Sequence, residues 1–264
     1  MKIRPKKSLG QNFLSDKNII KKIVQIEKIN SESIIIEIGP GTGNLTEFIL
    51  EKKPKKFTAI EKDTSLSKLL KEKFNNKINV INEDILKLKL KSLEKDKFIV
   101  FGNLPYNIST EILVSFVIET ERYKSFKKLI FMFQKEVADR IIAKTNSKNY
   151  GRLSIISNWR TIVKKEFDVS PNSFFPMPKI NSSLLSFSPK KKYFNIKNPK
   201  NLEKITKIFF SQRRKMIKNP LKKVFKNPNL IAKKLNLNLN LRPQNLTPLK
   251  YFEITKEFED QLIN

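Results

Sequence analysis

Asn103-Leu104-Pro105-Tyr106 sets an amide, a rigid turn and an aromatic ring in one tetrapeptide, directly behind the apolar run Phe98-Ile99-Val100-Phe101. Such a run reads as a buried strand. The C-terminal ends of parallel strands are where open α/β sheets hold their ligands. The amide oxygen of Asn103 and a carbonyl at Leu104 or Pro105 can accept hydrogen bonds, and the Tyr106 ring can stack. Pro105 also restricts Leu104 to an extended conformation, which aims that carbonyl. The plainer reading is a strand-to-helix turn, stiffened by Pro105 and covered by Tyr106.

A second stretch, Glu37-Ile38-Gly39-Pro40-Gly41-Thr42-Gly43, follows the β-branched run from Ser33. Glycines allow a tight turn and close approach of the backbone to a ligand, and the next helix offers unpaired N–H groups. The spacing fits either a dinucleotide pyrophosphate loop or an S-adenosylmethionine loop, and Gly39 and Gly41 are the candidate cofactor-binding positions in it. Two acids bear on the choice. Glu61 ends the next strand, where a carboxylate grips ribose hydroxyls. Asp84 follows the third, where it can accept from an adenine amine. Together they favour an adenosyl ligand; a dinucleotide site accounts for Glu61 but leaves Asp84 and the Asn103 motif unused.

Composition narrows the chemistry. The 264 residues carry 54 Lys+Arg against 25 Asp+Glu, a formal charge of +29, and neither Cys nor His. Disulfides, thiolate or imidazole metal sites and Cys/His catalysis are therefore ruled out. A metal site is not expected. The positive excess points to a polyanionic partner, nucleic acid ahead of a membrane surface. No stretch of about 18 apolar residues is present, so no membrane span is expected. Nor is a signal peptide, and the expected location is the cytoplasm.

The elements that must position these residues alternate. Strands are expected at Ser33–Ile38, Phe57–Ile60, Ile78–Ile81, Phe98–Phe101 and Lys128–Phe133, with helical segments between them. Asp16 is placed to cap a helix running to about Lys28. This is the pattern of a doubly wound, mostly parallel α/β sheet. Two further strand-like runs, Trp159–Val169 and Ser182–Ser188, are joined only by the proline-rich 171–178, too short for a helical crossover, so an antiparallel terminal hairpin is expected. From Lys190 the composition shifts: residues 190–250 hold 18 Lys+Arg and one acid, Glu203. The expected division is a catalytic domain over 1–189, with a basic arm at 1–14, and a small all-α basic domain over 190–264. Arg213, Arg214, Lys215, Lys218, Lys222 and Lys223 are its candidate phosphate contacts.

Five motifs occur in order: Leu9-Gly10-Gln11-Asn12-Phe13-Leu14, the GPGTG loop, Asn103-Leu104-Pro105-Tyr106, Phe174-Phe175-Pro176-Met177-Pro178-Lys179 and Gln212-Arg213-Arg214-Lys215. Across essentially the whole chain the sequence resembles the rRNA adenine N6-dimethyltransferases, most closely those acting on the bacterial small subunit. The resemblance implies a Rossmann-like class I methyltransferase fold and S-adenosylmethionine as donor. It also implies dimethylation of two adjacent adenosines near the 3′ end of 16S rRNA during small-subunit assembly, by a monomer. Asn12 and Leu14 would belong to a segment closing over the donor, with Asn103 between donor and base. Tyr106 would stack on one face of the base and Phe174, or its neighbour Phe175, on the other. Glu83 and Ile180-Asn181 depart from the common pattern of Gly and Val-Asp at these positions. A large-subunit methylase is a close alternative. A non-catalytic RNA-binding factor on the same scaffold would be expected to lose Glu61, Asp84 or Asn103.

Overall fold

The computed structural model describes residues 5–6, 10–88 and 96–262. Leu9 of the LGQNFL motif and the arm residues 1–4 and 7–8 lie outside them. The described strands, in chain order, are β1 Phe13–Leu14, β2 Ile34–Ile38, β3 Lys56–Ile60, β4 Asn79–Ile81, β5 Phe98–Gly102, β6 Phe126–Gln134, β7 Thr161–Val169, β8 Phe174–Phe175 and β9 Ser182–Pro189. Seven of them form one sheet of order β4-β3-β2-β5-β6-β9-β7; β1 and β8 pair separately. The pairings among β4, β3, β2, β5 and β6 are parallel, and β9 runs antiparallel to β6.

The central strands follow from composition. Every residue of β2 and β5 is buried. A parallel strand covered on both faces selects a continuous apolar run rather than alternation. Ile35, Ile36, Val100, Phe101, Phe131 and Phe133 are essentially inaccessible, and each such side chain contributes roughly 1.5–3 kcal/mol of burial. The hairpin folds back on itself so that its second strand, β9, sits inside and β7 takes the edge. Ser183 hydrogen-bonds Asp168 and Ser186 hydrogen-bonds Glu166, so partners descend along β7 as they ascend along β9.

Two boundaries move. The helix capped by Asp16 ends at Val24 rather than near Lys28. Trp159 and Arg160 belong not to a strand but to the helix Arg152–Arg160. Ile155, Ile156 and Trp159 share one buried face there at helical spacing.

Among the described residues the chain divides into two compact units. One comprises Met1–Phe116, Thr120–Ala138 and Val163–Pro189; the other comprises Val117–Glu119, Asp139–Ile162 and Lys190–Asn264. The second unit thus takes in residues 139–162, which a cut at 189 would leave in the first. The reason is local bonding: Tyr150 Oη donates to the Leu246 carbonyl and Trp159 Nε1 to that of Phe194. Among its described residues the second unit's regular elements are helices apart from Thr161–Ile162, the main ones at Pro199–Phe210, Lys218–Val224, Pro228–Lys234 and Pro248–Gln261.

Candidate active site

Chain progression reverses between β2 and β5, the two strands that flank the switch point of the sheet. Ile38 pairs with Gly102, so the loops that follow, from Gly39 and from Asn103, leave the sheet side by side. A cavity opens there within the first unit. Its lining includes Asn12, Leu14, Gly39, Gly41, Glu61, Asp84 and the whole of Asn103–Tyr106.

Glycine is required at position 41. It has φ +59°, and a Cβ would lie 2.6 Å from the Phe13 ring, which the arm lays over the loop. Glu61, 6% exposed, stands at the end of β3. Its Oε2 accepts from Gly41 N at 3.2 Å and its Oε1 from Asp63 N at 2.9 Å. Burial raises its carboxyl above the ordinary value against the pull of those two amides. Asp84 accepts from Lys62 Nζ at 2.8 Å and from Leu86 N at 3.0 Å. The Lys62 ammonium holds it below its ordinary value, so it is an ionised acceptor at the rim.

Asn103 is oriented by the arm. Its Nδ2 donates to the Asn12 carbonyl at 2.8 Å, which turns Oδ1 to serve as the acceptor. The Pro105 carbonyl accepts from Ile108 N at 3.1 Å. That commits Pro105 to the following turn and leaves the Leu104 carbonyl as the better second acceptor. Tyr106 Oη and Ser182 Oγ share a hydrogen bond of 2.6 Å, so the first residue of β9 sets the ring.

Phe174 departs from expectation. It does not line the cavity. It is 4% exposed, pairs with Leu14 and packs in the hydrophobic core with Val169 and Leu184. In this structure it is a core residue, not a free stacking face. The exposed ring of the turn is Phe175, 64% accessible and opposite Phe13.

Among the basic candidates, Arg214, Lys215, Lys218, Lys222 and Lys223 are exposed. Only the last three lie on a helix. Arg213 is half-buried and braces its own unit, donating to Gln244 Oε1 and the Lys148 carbonyl. That bracing sets Arg213 apart from the five exposed candidates.

Sequence reading overlooked several groups. Glu37 is buried at the end of β2, accepts from Thr46 Oγ1 at 2.6 Å, and is pushed up to about 7 by burial. A lone carboxylate inside Ile-Ile-Ile-Glu-Ile was the available signal, because buried charge is costly without a purpose. Being raised in the fold, this group stabilises below its ordinary value of 4.5 and loses that contribution as pH rises toward 7. Thermal melts are expected to show Glu37→Gln gaining stability over the parent near pH 8 but not near pH 5. Asp63, Gln11 and Asn44 were also missed, since each acts only on the folded arm: Gln11 Nε2 donates to Asp63, and Asn44 Nδ2 to the Leu14 carbonyl at 2.7 Å.

A switch-point cavity edged by a glycine loop, carboxylates at the ends of three successive strands, and an oriented amide beside an aromatic defines a class I methyltransferase. Residues 3–260 match the model of the family described as ribosomal RNA adenine dimethylase. The chain is 56% identical to the ribosomal RNA small subunit methyltransferase A of Pelagibacter ubique (strain HTCC1062), over 98% of this chain and 99% of that protein. It is 40% identical to the protein of the same name from Wolbachia pipientis wMel, over 99% and 92% respectively. The crystal structure of a dimethyladenosine transferase from Plasmodium falciparum superposes with a TM-score of 0.77 at 27% identity, covering 94% of this chain and 98% of that one. The 23S rRNA methyltransferase ErmE shares the fold, with a TM-score of 0.68 at 20% identity. The chain belongs to the ribosomal RNA adenine dimethylase family.

Proposed function

We propose that this methyltransferase uses S-adenosylmethionine to place two methyl groups on N6 of each of two adjacent adenosines, in a loop near the 3′ end of 16S rRNA. Its substrate is the small ribosomal subunit during assembly in the cytoplasm, and it acts as a monomer. The observation that carries this reading is the Asn103 amide, held by Asn12 in a cavity whose lining includes Glu37, Glu61 and Asp84.

That donor set fits an adenosyl group. Glu61 suits a pair of ribose hydroxyls, Asp84 an exocyclic amine, and Gly39 and Gly41 allow close backbone approach, while Ile38, Ile60, Leu66 and Ile85 supply apolar walls. Once bound, the donor contributes an electrophilic methyl on a sulfonium, so the chemistry calls for no metal.

The protein's task is position and electrostatics. An adenine amine is a weak nucleophile because its lone pair is delocalised into the ring. Asn103 Oδ1 and the Leu104 carbonyl accept hydrogen bonds from its two N–H groups, drawing the nitrogen toward tetrahedral geometry with its lone pair aimed into the cavity. Extruding the base costs a few kcal/mol, and stacking returns about 1–3 kcal/mol per ring. Tyr106 provides one face. Phe175, the exposed ring of the pair, is the candidate for the other, whereas Phe174 would first have to leave the core.

Labelled S-adenosylmethionine and 30S subunits lacking the modification test the reading directly. Two adjacent dimethylated adenosines are expected in the mapped product; no label in 16S rRNA, or label elsewhere, overturns it.

The basic helical unit is assigned to phosphate binding. Affinity for rRNA is then expected to fall steeply with salt, and Lys218→Ala, Lys222→Ala and Lys223→Ala each to flatten the log–log slope by about 1. Arg213→Ala is expected to leave the slope unchanged. A salt series of binding constants checks both.

A further inference from the structure

The carboxylate of Asp63 is 2% exposed, yet the site chemistry leaves it unused. All its partners are at hand. Oδ1 accepts from Lys6 Nζ at 3.0 Å and Oδ2 from Gln11 Nε2 at 3.0 Å. Oδ1 also accepts from Ser65 N at 2.9 Å, capping the helix Thr64–Phe74. Its own N–H donates to Glu61 Oε1. Gln11 is followed by Asn12, whose carbonyl holds the Asn103 amide. The connected groups run from the strand-end acid, through a buried carboxylate, into the arm and on to Asn103.

We propose that Asp63 is a positioning residue. It latches the arm through Gln11 and Lys6, and the latched arm holds Asn103 in its working rotamer through the Asn12 carbonyl. Electrostatics support the latch: burial opposes ionisation of Asp63, but the bonds from Lys6, Gln11 and Ser65 N outweigh it and hold the carboxyl below its ordinary value. The ionised acceptor is thereby matched to an ammonium and an amide donated by the arm. The inference rests on the assignment of Asn103 given above.

Asp63→Asn separates the latch from the cap. Asparagine caps a helix as well as aspartate does, so Oδ1 keeps Ser65 N. Its Nδ2 is a donor, and it faces the donor on Gln11. The first readout needs no catalysis: tryptic cleavage after Lys6, followed by mass spectrometry of the N-terminal peptide, is expected to accelerate in Asp63→Asn with the melting temperature preserved. The second is turnover on 30S subunits. kcat is expected to fall roughly 10- to 100-fold from the misplaced amide. The double variant Asp63→Asn/Gln11→Ala is expected to be no worse than either single change, since both remove one latch. Parental cleavage of the arm, or losses that add, overturns the proposal. Accelerated cleavage with parental turnover in Asp63→Asn shows a latch that does not position Asn103, and overturns it equally. If the parent itself fails to methylate 30S subunits while Asp63→Asn still frees the arm, the fault lies with the proposed function instead.

Discussion

Asn103→Ala is expected to lower methyl transfer by about 10²–10³-fold, the usual effect of deleting one preorganised polar group at the reacting atom. Donor affinity is expected to change little, because Glu61, Asp84 and the glycine loop are untouched. The reason lies in how the amide is spent. Asn103 Nδ2 is committed to the Asn12 carbonyl, so Oδ1 is fixed before substrate arrives. An acceptor fixed in advance needs no reorganisation as the amine changes geometry. Single-turnover rates at saturating rRNA, with donor binding measured by calorimetry, separate the two quantities. Parental turnover in this variant would remove Asn103 from the mechanism, and a loss confined to donor affinity would move it into the binding set.

The neighbouring phenylalanines are expected to respond in opposite ways. Phe174→Ala removes a ring that is 4% exposed among Leu14, Val169 and Leu184. Truncating such a residue costs about 3–5 kcal/mol, enough to lower the melting temperature by some 10 °C. Phe175→Ala removes a ring 64% exposed, so the melting temperature should hold. Its loss should appear as weaker productive binding of rRNA, about 1–3 kcal/mol if the ring stacks on the base. Thermal melts and kcat/KM on the two variants decide it. A Phe174→Ala protein that melts like the parent and fails to turn over would return the stacking role to Phe174 and require it to leave the core on binding.

These residues also mark where sequence reading succeeds. The two central parallel strands were the most legible because a strand covered on both faces must be an unbroken apolar run, and Ile34–Ile38 and Phe98–Gly102 leave few alternatives. The cavity was legible because Gly39, Gly41, Glu61, Asp84 and Asn103 all sit at the ends of such runs, and parallel strands bring like ends together. Trp159 and Arg160 were misread because bulky residues at a helix C-terminus look like the start of the strand they precede.

The sequence by itself therefore determined the alternation of strands and helices, the gathering of site residues at strand ends and the kind of chemistry, since these follow from local patterns and from the absence of His and Cys. Only the tertiary structure decided which Phe of the 174–175 pair faces solvent, and that Arg213 braces its own unit. It also decided that Asp63 and Asn12 reach Asn103 through the arm. Strand alternation says that two neighbouring residues face opposite ways, but not which face is covered. A hydrogen bond between residues 91 apart, such as Asn103 to Asn12, leaves no local trace in the chain.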